Sequence, residues 1–271
     1  MAGVGATWDD VGAVAVTRGP GLAGSLLVGI NVAKTLAWVH DKPFVGVNHL
    51  EGHVYAAWLR DPGQADGEEP AFPLVALVVS GGHTFLVEMT DHLTYRLLGQ
   101  TIDDAAGEAF DKVGRLLGLD YPGGPAIQRA AGDASRHDAV FPRAWLGDSF
   151  DFSFSGLKTA ARRTVEAARA DAGLREPEEP LPHVVTAELA WGFQDAVVDV
   201  LVAKTIRAAR EVGARSIVLG GGVAANAVLR GRLAAEAARP IDDHRGTAAF
   251  RRHAIAVCAE RALDRACEGA P

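Results

Sequence analysis

Two kinds of hydrophobic pattern alternate along the first part of the chain. Short β-rich apolar runs occupy residues 11–17 and 44–47, and each is followed by apolar residues at helical spacing, over 25–40 and 49–60. Alternation of strand and helix is typical of a parallel sheet, because each helix carries the chain back to the start of the next strand. The pattern therefore predicts an α/β fold.

The pattern changes beyond residue 73. Apolar runs over 73–79 and 84–89 flank the sequence Ser80-Gly-Gly-His83. A Gly-Gly turn between two strands indicates a β-hairpin. The elements predicted after the hairpin are helices over 103–117, 125–132, 156–170, 184–212 and 224–238 and a strand over 216–219.

A segment rich in proline, glycine and acidic residues, 61–73, separates the two patterns, and this composition is typical of a linker. We therefore predict a first lobe over residues 1–70 and a second lobe, with the nucleotide-binding loops, over residues 71–238. Residues 239–271 form a divergent tail that is rich in alanine, arginine and histidine and has no clear strand pattern.

The composition is that of a globular protein and limits the partners. The 271 residues are 48% apolar, which predicts a sizeable core, and the formal net charge of -7 argues against a broad positive field for nucleic acid. An RNA partner would have to bind a local patch. Cys258 and Cys267 are too few for a disulfide framework, and the sequence shows no leader peptide or membrane-length apolar stretch. We predict a soluble, cytoplasmic protein.

His49 and His53 are four residues apart on a predicted helix. Their side chains project from one face about a turn apart and could share a metal ion, although two histidines on a half-buried helix have the same spacing. Zinc-protease chemistry is disfavoured, because Glu51 lies roughly 200° around the helix from His49.

The hairpin turn is a candidate phosphate site. Gly81 and Gly82 allow the backbone to approach a ligand closely, and Ser80 and Thr84 add hydroxyl groups. A plain hairpin turn has the same sequence, so the turn alone leaves both interpretations open.

Further candidates for nucleotide contacts lie near predicted helices. The glycine run 220–222 leads a strand into a helix and aims backbone N–H groups at an anion, while Asn226 either contacts a base or ribose or caps the helix. Asp111 lies seven residues after Asp104 on the same helix face, where a carboxylate can accept hydrogen bonds from ribose hydroxyls. Gly124 either leaves backbone near the group that Asp111 binds or only precedes the next helix.

Charged residues outside these turns have simpler interpretations. Glu108 and Lys112 are spaced i, i+4 and are predicted to form an ion pair. Lys158, Arg162 and Arg163 form either a solvated helix face or a small basic patch that contacts RNA phosphates.

Six motifs in order carry a family resemblance, and six ordered motifs are far more specific than any one of them. They are Arg18-Gly-Pro-Gly-Leu22, Asn48-His-Leu-Glu-Gly-His53, Val79-Ser-Gly-Gly-His-Thr84, Asp103-Asp-Ala-Ala-Gly-Glu-Ala-Phe-Asp-Lys112 with Tyr121-Pro-Gly-Gly124, Phe152-Ser-Phe-Ser-Gly-Leu-Lys158 and Gly221-Gly-Val-Ala-Ala-Asn226. Together they resemble the tRNA adenosine threonylcarbamoyltransferase family over roughly residues 7–238.

The resemblance implies a two-lobed fold of the actin, Hsp70 and sugar-kinase class, with the ligand bound between the lobes. It implies an acyltransferase that moves the threonylcarbamoyl group from threonylcarbamoyl-AMP to the exocyclic amine of adenosine 37 in tRNAs that read codons beginning with adenine, with release of AMP. The implied partners are tRNA, threonylcarbamoyl-AMP, and a paralogous dimerisation subunit and an ATPase of the same system (TsaB and TsaE).

The resemblance also assigns roles to residues. It makes His49 and His53 ligands of one divalent metal ion, iron(II) in preference to zinc. It assigns substrate binding to the following residues: Val78, Val79, Ser80, Gly81, Gly82, Asp111, Gly124 and Asn226.

Two differences from the family pattern concern the ends of the chain. The family's N-terminal phosphate-binding hairpin, and its C-terminal segment with an aspartate as third metal ligand, have no counterpart in this sequence. We therefore expect an incomplete first lobe and weak metal binding. Two other functions stay open: a degenerate, non-catalytic nucleotide-binding subunit of the same system, and a small-molecule kinase of the same fold class.

Overall fold

The computed structural model describes residues 5–59, 69–176 and 179–238. These residues form two compact units, which divide between residues 67 and 68. Most of the predicted linker at 61–73 and all of the predicted tail at 239–271 lie outside the described residues. No helix of the described ranges is long and apolar enough to cross a membrane.

The described residues of the first unit form two strands and two α-helices in alternating order. They are β1 (Val14–Gly19), α1 (Ala23–Val39), β2 (Phe44–Asn48) and α2 (His49–Tyr55). β1 and β2 pair in parallel, with Val14 opposite Phe44. α1 packs against β1 and buries Ala33 and Ala37. The predicted parallel arrangement is therefore confirmed, while α2 ends at Tyr55, earlier than predicted, and a 3-10 turn follows.

Within the described part of the second unit, four strands form a mixed sheet. Its strands are β3 (Leu74–Val79), β4 (Thr84–Asp91), β5 (Thr94–Gln100) and β6 (Ser216–Gly220), in the order β5-β4-β3-β6. β3 pairs antiparallel with β4, as the hairpin prediction requires, and parallel with β6. The sequence did not predict β5, because this edge strand exposes most of its residues and lacks an alternating apolar pattern.

The helices of the second unit follow the predicted order. They are α3 (Ala106–Leu116), α4 (Gly123–Gly132), α5 (Ser155–Asp171), α6 (His183–Glu211) and α7 (Ala227–Ala237). α3 begins three residues later than predicted. α7 also begins three residues later than predicted, because a 3-10 turn over Gly222–Ala225 precedes it.

The core of the second unit lies around β3 and α6. Every residue of β3 is fully buried, and α6 contributes the largest share of the surrounding apolar side chains. Phe110 of α3 meets Phe193 of α6 edge to face, with ring centroids 5.4 Å apart. This packing fixes α3 relative to α6, and α3 carries Asp111, one of the residues predicted to bind a ligand.

The irregular segment between α4 and α5 is held by charges on α6 and α7. Arg143, from this segment, pairs with both Asp195 and Asp199 of α6. Arg232 of α7 pairs with the same two carboxylates. The two arginines and two aspartates form one network, which ties three parts of the chain together.

A buried lysine of α6 anchors the end of the same segment. Lys204 is 2% exposed. Its Nζ donates hydrogen bonds to the backbone carbonyl oxygens of Trp145, Ser149 and Asp151, at 2.7, 2.8 and 2.5 Å. Burial lowers the pKa of Lys204, and the nearby Arg207 adds to this effect. The carbonyl oxygens compensate by supplying negative partial charge to the ammonium group.

Candidate functional site

One cavity in the second unit brings together residues from separate segments. It has a volume of about 430 Å³ and lies where the starts of α3 and α4 and the turn after β6 meet the β3–β4 hairpin. This volume is within the range of pockets that hold small molecules. Its lining residues are Gly81, Gly107, Phe110, Asp111, Tyr121, Pro122, Gly124, Pro125, Gln128, Gly222, Val223, Ala225 and Asn226.

Four of the residues predicted to bind substrate, Gly81, Asp111, Gly124 and Asn226, are in that lining. The other four lie beside it. Val78 and Val79 are fully buried in β3, so their side chains belong to the core. Ser80 and Gly82 flank Gly81 in the hairpin turn.

The hairpin turn uses some of its polar groups internally. The Ser80 N–H donates to the His83 carbonyl oxygen at 2.7 Å, and the His83 N–H donates to Ser80 Oγ at 3.1 Å. Within the described part of the chain, the N–H groups of Gly81 and Gly82 have no protein acceptor. These two donors are therefore available to an anionic group, as in the phosphate cradles of other turns.

The start of α3 is built against the hairpin. Thr84 Oγ1, which is buried, accepts a hydrogen bond from the Ala106 N–H at 2.9 Å. The Gly107 N–H donates to the Ser80 carbonyl oxygen at 3.2 Å, and a Cβ at Gly107 would lie only 2.5 Å from that oxygen. The expectation that Thr84 presents its hydroxyl to a phosphate is therefore corrected, because this oxygen caps α3.

Asp111 is held by the start of α4. Its Oδ1 accepts a hydrogen bond from the Gly123 N–H at 2.8 Å, which leaves Oδ2 for a ligand hydroxyl. A Cβ at Gly123 would lie 2.4 Å from the Phe110 carbonyl oxygen, so only glycine permits this close approach. A Cβ at Gly124 would enter open space, consistent with its place in the cavity lining.

Asn226 caps α7, one of the two interpretations that the sequence left open. Its Oδ1 accepts a hydrogen bond from the Leu229 N–H at 2.9 Å, and its Nδ2 donates to Gln194 Oε1 at 2.8 Å. Gly221, with φ +89°, brings the turn so close to β3 that a Cβ would lie 2.3 Å from the Val79 carbonyl oxygen. The turn and the asparagine together shape the β6 side of the cavity.

Gln128 lines the cavity, and the sequence reasoning missed it. Its Oε1 accepts a hydrogen bond from the Ala227 N–H at 2.8 Å, so its amide nitrogen has a fixed orientation. Within the described ranges that nitrogen has no protein acceptor, and it can donate to a ligand. The available signal was its position one helical turn after Gly124, on the same face of α4.

Asp103 fastens the segment before α5 to the start of α3. Its carboxylate accepts hydrogen bonds from the hydroxyls of Ser153 and Ser155 and from the Phe154 N–H. Burial raises the pKa of Asp103, but these hydrogen bonds outweigh burial and hold the pKa below its usual value. Asp103 therefore precedes the helix and links two segments, whereas the sequence predicted it inside the first turn.

Asp104 holds two lysines. Lys158 Nζ lies 2.5 Å and Lys112 Nζ lies 3.1 Å from its carboxylate oxygens, and these contacts lower the pKa of Asp104 in spite of burial. Lys112 also pairs with Glu108 at 2.7 Å, as predicted, and Glu108 and Asp104 raise the pKa of Lys112. Of the three residues in the candidate basic patch, Lys158 is therefore already paired.

The candidate metal ligands lie together in the first unit. His49 and His53 are both in α2, and their ring centroids are 4.5 Å apart at an interplanar angle of 62°. Asn48 fixes the start of the helix by accepting a hydrogen bond from the Leu50 N–H at 2.8 Å. Across residues 5–59, 69–176 and 179–238, there is no group of three or more possible metal-ligating side chains. The described residues thus supply two neighbouring imidazoles.

Comparison with solved structures defines the class of fold. A crystal structure of T. kodakarensis HypF superimposes with a TM-score of 0.57 at 12% sequence identity, over 93% of this chain and 40% of that protein. A full-length HypF in a phosphate- and nucleotide-bound form gives a TM-score of 0.50 at 12% identity, over 86% of this chain and 45% of that protein. The likeness shows a mixed α/β fold shared with these proteins.

Sequence comparison defines the family. The family model for TsaD, tRNA N6-adenosine threonylcarbamoyltransferase, matches residues 1–244. Proteins of that name are 61% identical in Thermomicrobium roseum, 51% in Dehalococcoides mccartyi and 53% in Bordetella bronchiseptica, each over 86% of this chain. This chain covers 66%, 65% and 64% of their respective lengths. The chain belongs to the tRNA N6-adenosine threonylcarbamoyltransferase family.

Proposed function

We propose that this chain transfers the threonylcarbamoyl group from threonylcarbamoyl-AMP to the exocyclic amine of adenosine 37 in tRNAs that read codons beginning with adenine. The observation that carries the proposal is the cavity of about 430 Å³, in which Gly81, Asp111, Gly124 and Asn226 come together from three of the six motifs. In the reaction the amine bonds to the carbamoyl carbon, the bond from that carbon to the phosphate oxygen breaks, the amine loses a proton and AMP leaves.

The cavity suits the AMP half of the donor. The free carboxylate oxygen of Asp111 would accept hydrogen bonds from the ribose hydroxyls, and the amide nitrogen of Gln128 would donate to the nucleoside. The N–H groups of Gly81 and Gly82 would donate to the phosphate, where negative charge increases as AMP leaves. These roles explain why the lining combines glycine backbone with few polar side chains.

The metal belongs to the same proposal. The edge-to-face imidazoles of His49 and His53 fit two ligands of one divalent ion, iron(II) in preference to zinc. Lewis-acid polarisation of the carbamoyl or phosphate oxygens is the chemistry that such an ion would supply. Further ligands would have to come from substrate, from water or from residues beyond those described.

The proposal also includes the fold class and the partners. We assign the two units to the two lobes of the actin, Hsp70 and sugar-kinase class, the first over residues 1–70 and the second over 71–238. The partners would be tRNA, the dimerisation subunit and the ATPase of the threonylcarbamoyl system, in the cytoplasm. The membership in the family supports each of these assignments.

A second candidate is a non-catalytic nucleotide-binding subunit of the same system. It is favoured by one observation: among the described residues, no third protein ligand accompanies the two histidines. Such a subunit would bind AMP in the same cavity and form no modified tRNA.

The test is formation of threonylcarbamoyladenosine, detected by mass spectrometry. The mixture contains the full chain, its proposed protein partners, a synthase that supplies threonylcarbamoyl-AMP, unmodified tRNA and iron(II) or zinc. We expect product, with Asp111→Asn losing most of it and Asp171→Asn, at the exposed end of α5, retaining it. A full-length relative is the positive control. If only that control yields product, while this chain binds AMP, the non-catalytic candidate replaces the proposal.

A further inference from the structure

A second, basic cleft lies beside the nucleotide cavity. It has a volume of about 310 Å³, between α3 and α5, and cationic side chains form most of its lining. The lining residues are Lys112, Arg115, Leu116, Lys158, Thr159 and Arg162.

The two lysines of the cleft are fixed in place and largely neutralised. Both contact Asp104, and Lys112 also contacts Glu108. Two lysines and two carboxylates leave no net charge. Asp104 is partly buried, with 17% of its side chain exposed, and its carboxylate oxygens hold both ammonium groups beside the cleft. They remain hydrogen-bond donors there.

The two arginines supply the net positive charge. Arg115 is exposed and forms no ion pair with any other residue that the structure describes. Arg162 has one contact with Glu166, at 3.5 Å, and the two side chains are 62% and 65% exposed. An exposed ion pair of this kind contributes little to stability, so it holds Arg162 only weakly. Guanidinium groups are well suited to phosphate, because their planar donors bind two oxygens at once.

The cleft and the cavity share one helix. Gly107 and Asp111 of α3 line the cavity, and Arg115 lines the cleft. These three residues follow at intervals of four, so they lie along one side of α3, and Arg115 is about 6 Å along the axis from Asp111. A polyanion in the cleft would therefore lie about one helical turn from the cavity.

We propose that this cleft binds the phosphate backbone of the substrate tRNA, and that Arg115 and Arg162 make the contacts. The choice of tRNA as the polyanion rests on the proposed function. With a net charge of -7 the whole chain repels RNA, so a local group of cations is needed to hold it. The phosphate contacts would position the RNA and leave selection of the base to the cavity.

The test is the salt dependence of binding of unmodified tRNA to the full chain, measured by fluorescence anisotropy. Each phosphate contact contributes about 0.7–0.9 to the slope of log K against log salt. The double variant Arg115→Ala with Arg162→Ala is therefore expected to bind more weakly and to reduce the slope by about 1.4–1.8. The control is Arg129→Ala with Arg175→Ala, which removes the same charge from exposed positions outside the cleft.

The outcomes separate this proposal from the proposed function. An unchanged slope in the cleft variant, or an equal reduction in the control variant, would overturn the cleft proposal. An identical arginine-dependent slope with duplex DNA would overturn the assignment to tRNA. AMP affinity, measured by calorimetry, should be unchanged in the cleft variant and should confirm that it is folded. If tRNA binding depends on the two arginines while no modified tRNA forms, the cleft proposal stands and the transferase proposal fails.

Discussion

The adjacent glycines at the start of α4 allow a sharp test of how the cavity is built. A methyl group at Gly123 would lie 2.4 Å from the Phe110 carbonyl oxygen and 2.6 Å from Asp111 Cα. Ordinary contacts between such atoms are about 3.5 Å, so the start of α4 would have to move about 1 Å away from α3. At Gly124, one residue on, the same methyl group meets open space.

We expect different changes in the free energy of unfolding for alanine at the two positions. Overpacking of this kind costs about 1–3 kcal/mol, which we expect as the loss of unfolding free energy in Gly123→Ala. Gly124→Ala is expected to be neutral or to stabilise by up to about 1 kcal/mol, since alanine favours a helix over glycine. The unfolding free energies of the two variants should therefore differ by about 1–4 kcal/mol although they make the same chemical change.

Urea unfolding followed by circular dichroism measures the stabilities, and calorimetry with AMP measures the site. Gly123→Ala should also lose AMP affinity, roughly 10-fold or more, because the shift removes the Gly123 N–H from Asp111 and misplaces the carboxylate. Gly124→Ala should keep its stability and lose affinity only through the methyl group in the cavity. Equal unfolding free energies for the two variants would refute the reasoning.

Three further predictions concern other contacts. Thr84→Val should cost about 1–2 kcal/mol of unfolding free energy, because the Ala106 N–H loses its acceptor, and Thr84→Ser should restore most of it; a valine variant as stable as wild type would contradict the cap. Asp104 has a lowered pKa, so its contribution to stability is complete above about pH 4 and is lost as pH falls further. In urea unfolding measured from pH 7 to 3, Asp104→Asn should therefore lose less stability than the wild type as the pH falls. An equal loss of stability in the two proteins would exclude that contribution. His49→Ala and His53→Ala should each lower the iron or zinc content found by mass spectrometry after metal loading, and undiminished metal in both variants would exclude the pair as ligands.

Local hydrophobic patterns were sufficient to predict the elements in which the apolar side chains are the buried ones. β3 is a continuous apolar run with a turn after it, and the structure buries all of it. β5 was missed, because an edge strand with exposed residues on both faces has no periodic signal. The start of α3 was misplaced for a different reason. Acidic residues suit a first helical turn, but the acceptor that caps this helix is Thr84, 22 residues earlier.

The candidate site shows the same division. Gly81, Asp111 and Gly124 could be named from their motifs, and the structure places all three in the cavity lining, whereas the motifs alone left a plain turn or helix start as an alternative for both glycines. Gln128 could not, since its orientation depends on a hydrogen bond to Ala227, 99 residues away. The sequence around Lys158 is typical of a basic patch, and only the fold shows that Asp104 already pairs with this lysine.

The contacts of Lys204 determine which positions of this protein can vary in sequence during evolution. Lys204 binds this segment through the backbone carbonyl oxygens of Trp145, Ser149 and Asp151, and every residue type has a backbone carbonyl oxygen. Substitutions along the segment therefore leave the anchor intact, provided that the backbone path is kept. The lysine itself has no such freedom, because a shorter or neutral side chain would leave three carbonyl oxygens without their shared donor. A saturation mutagenesis library should show that Lys204 tolerates few substitutions, while Trp145, Ser149 and Asp151, which it contacts through their backbones, tolerate more.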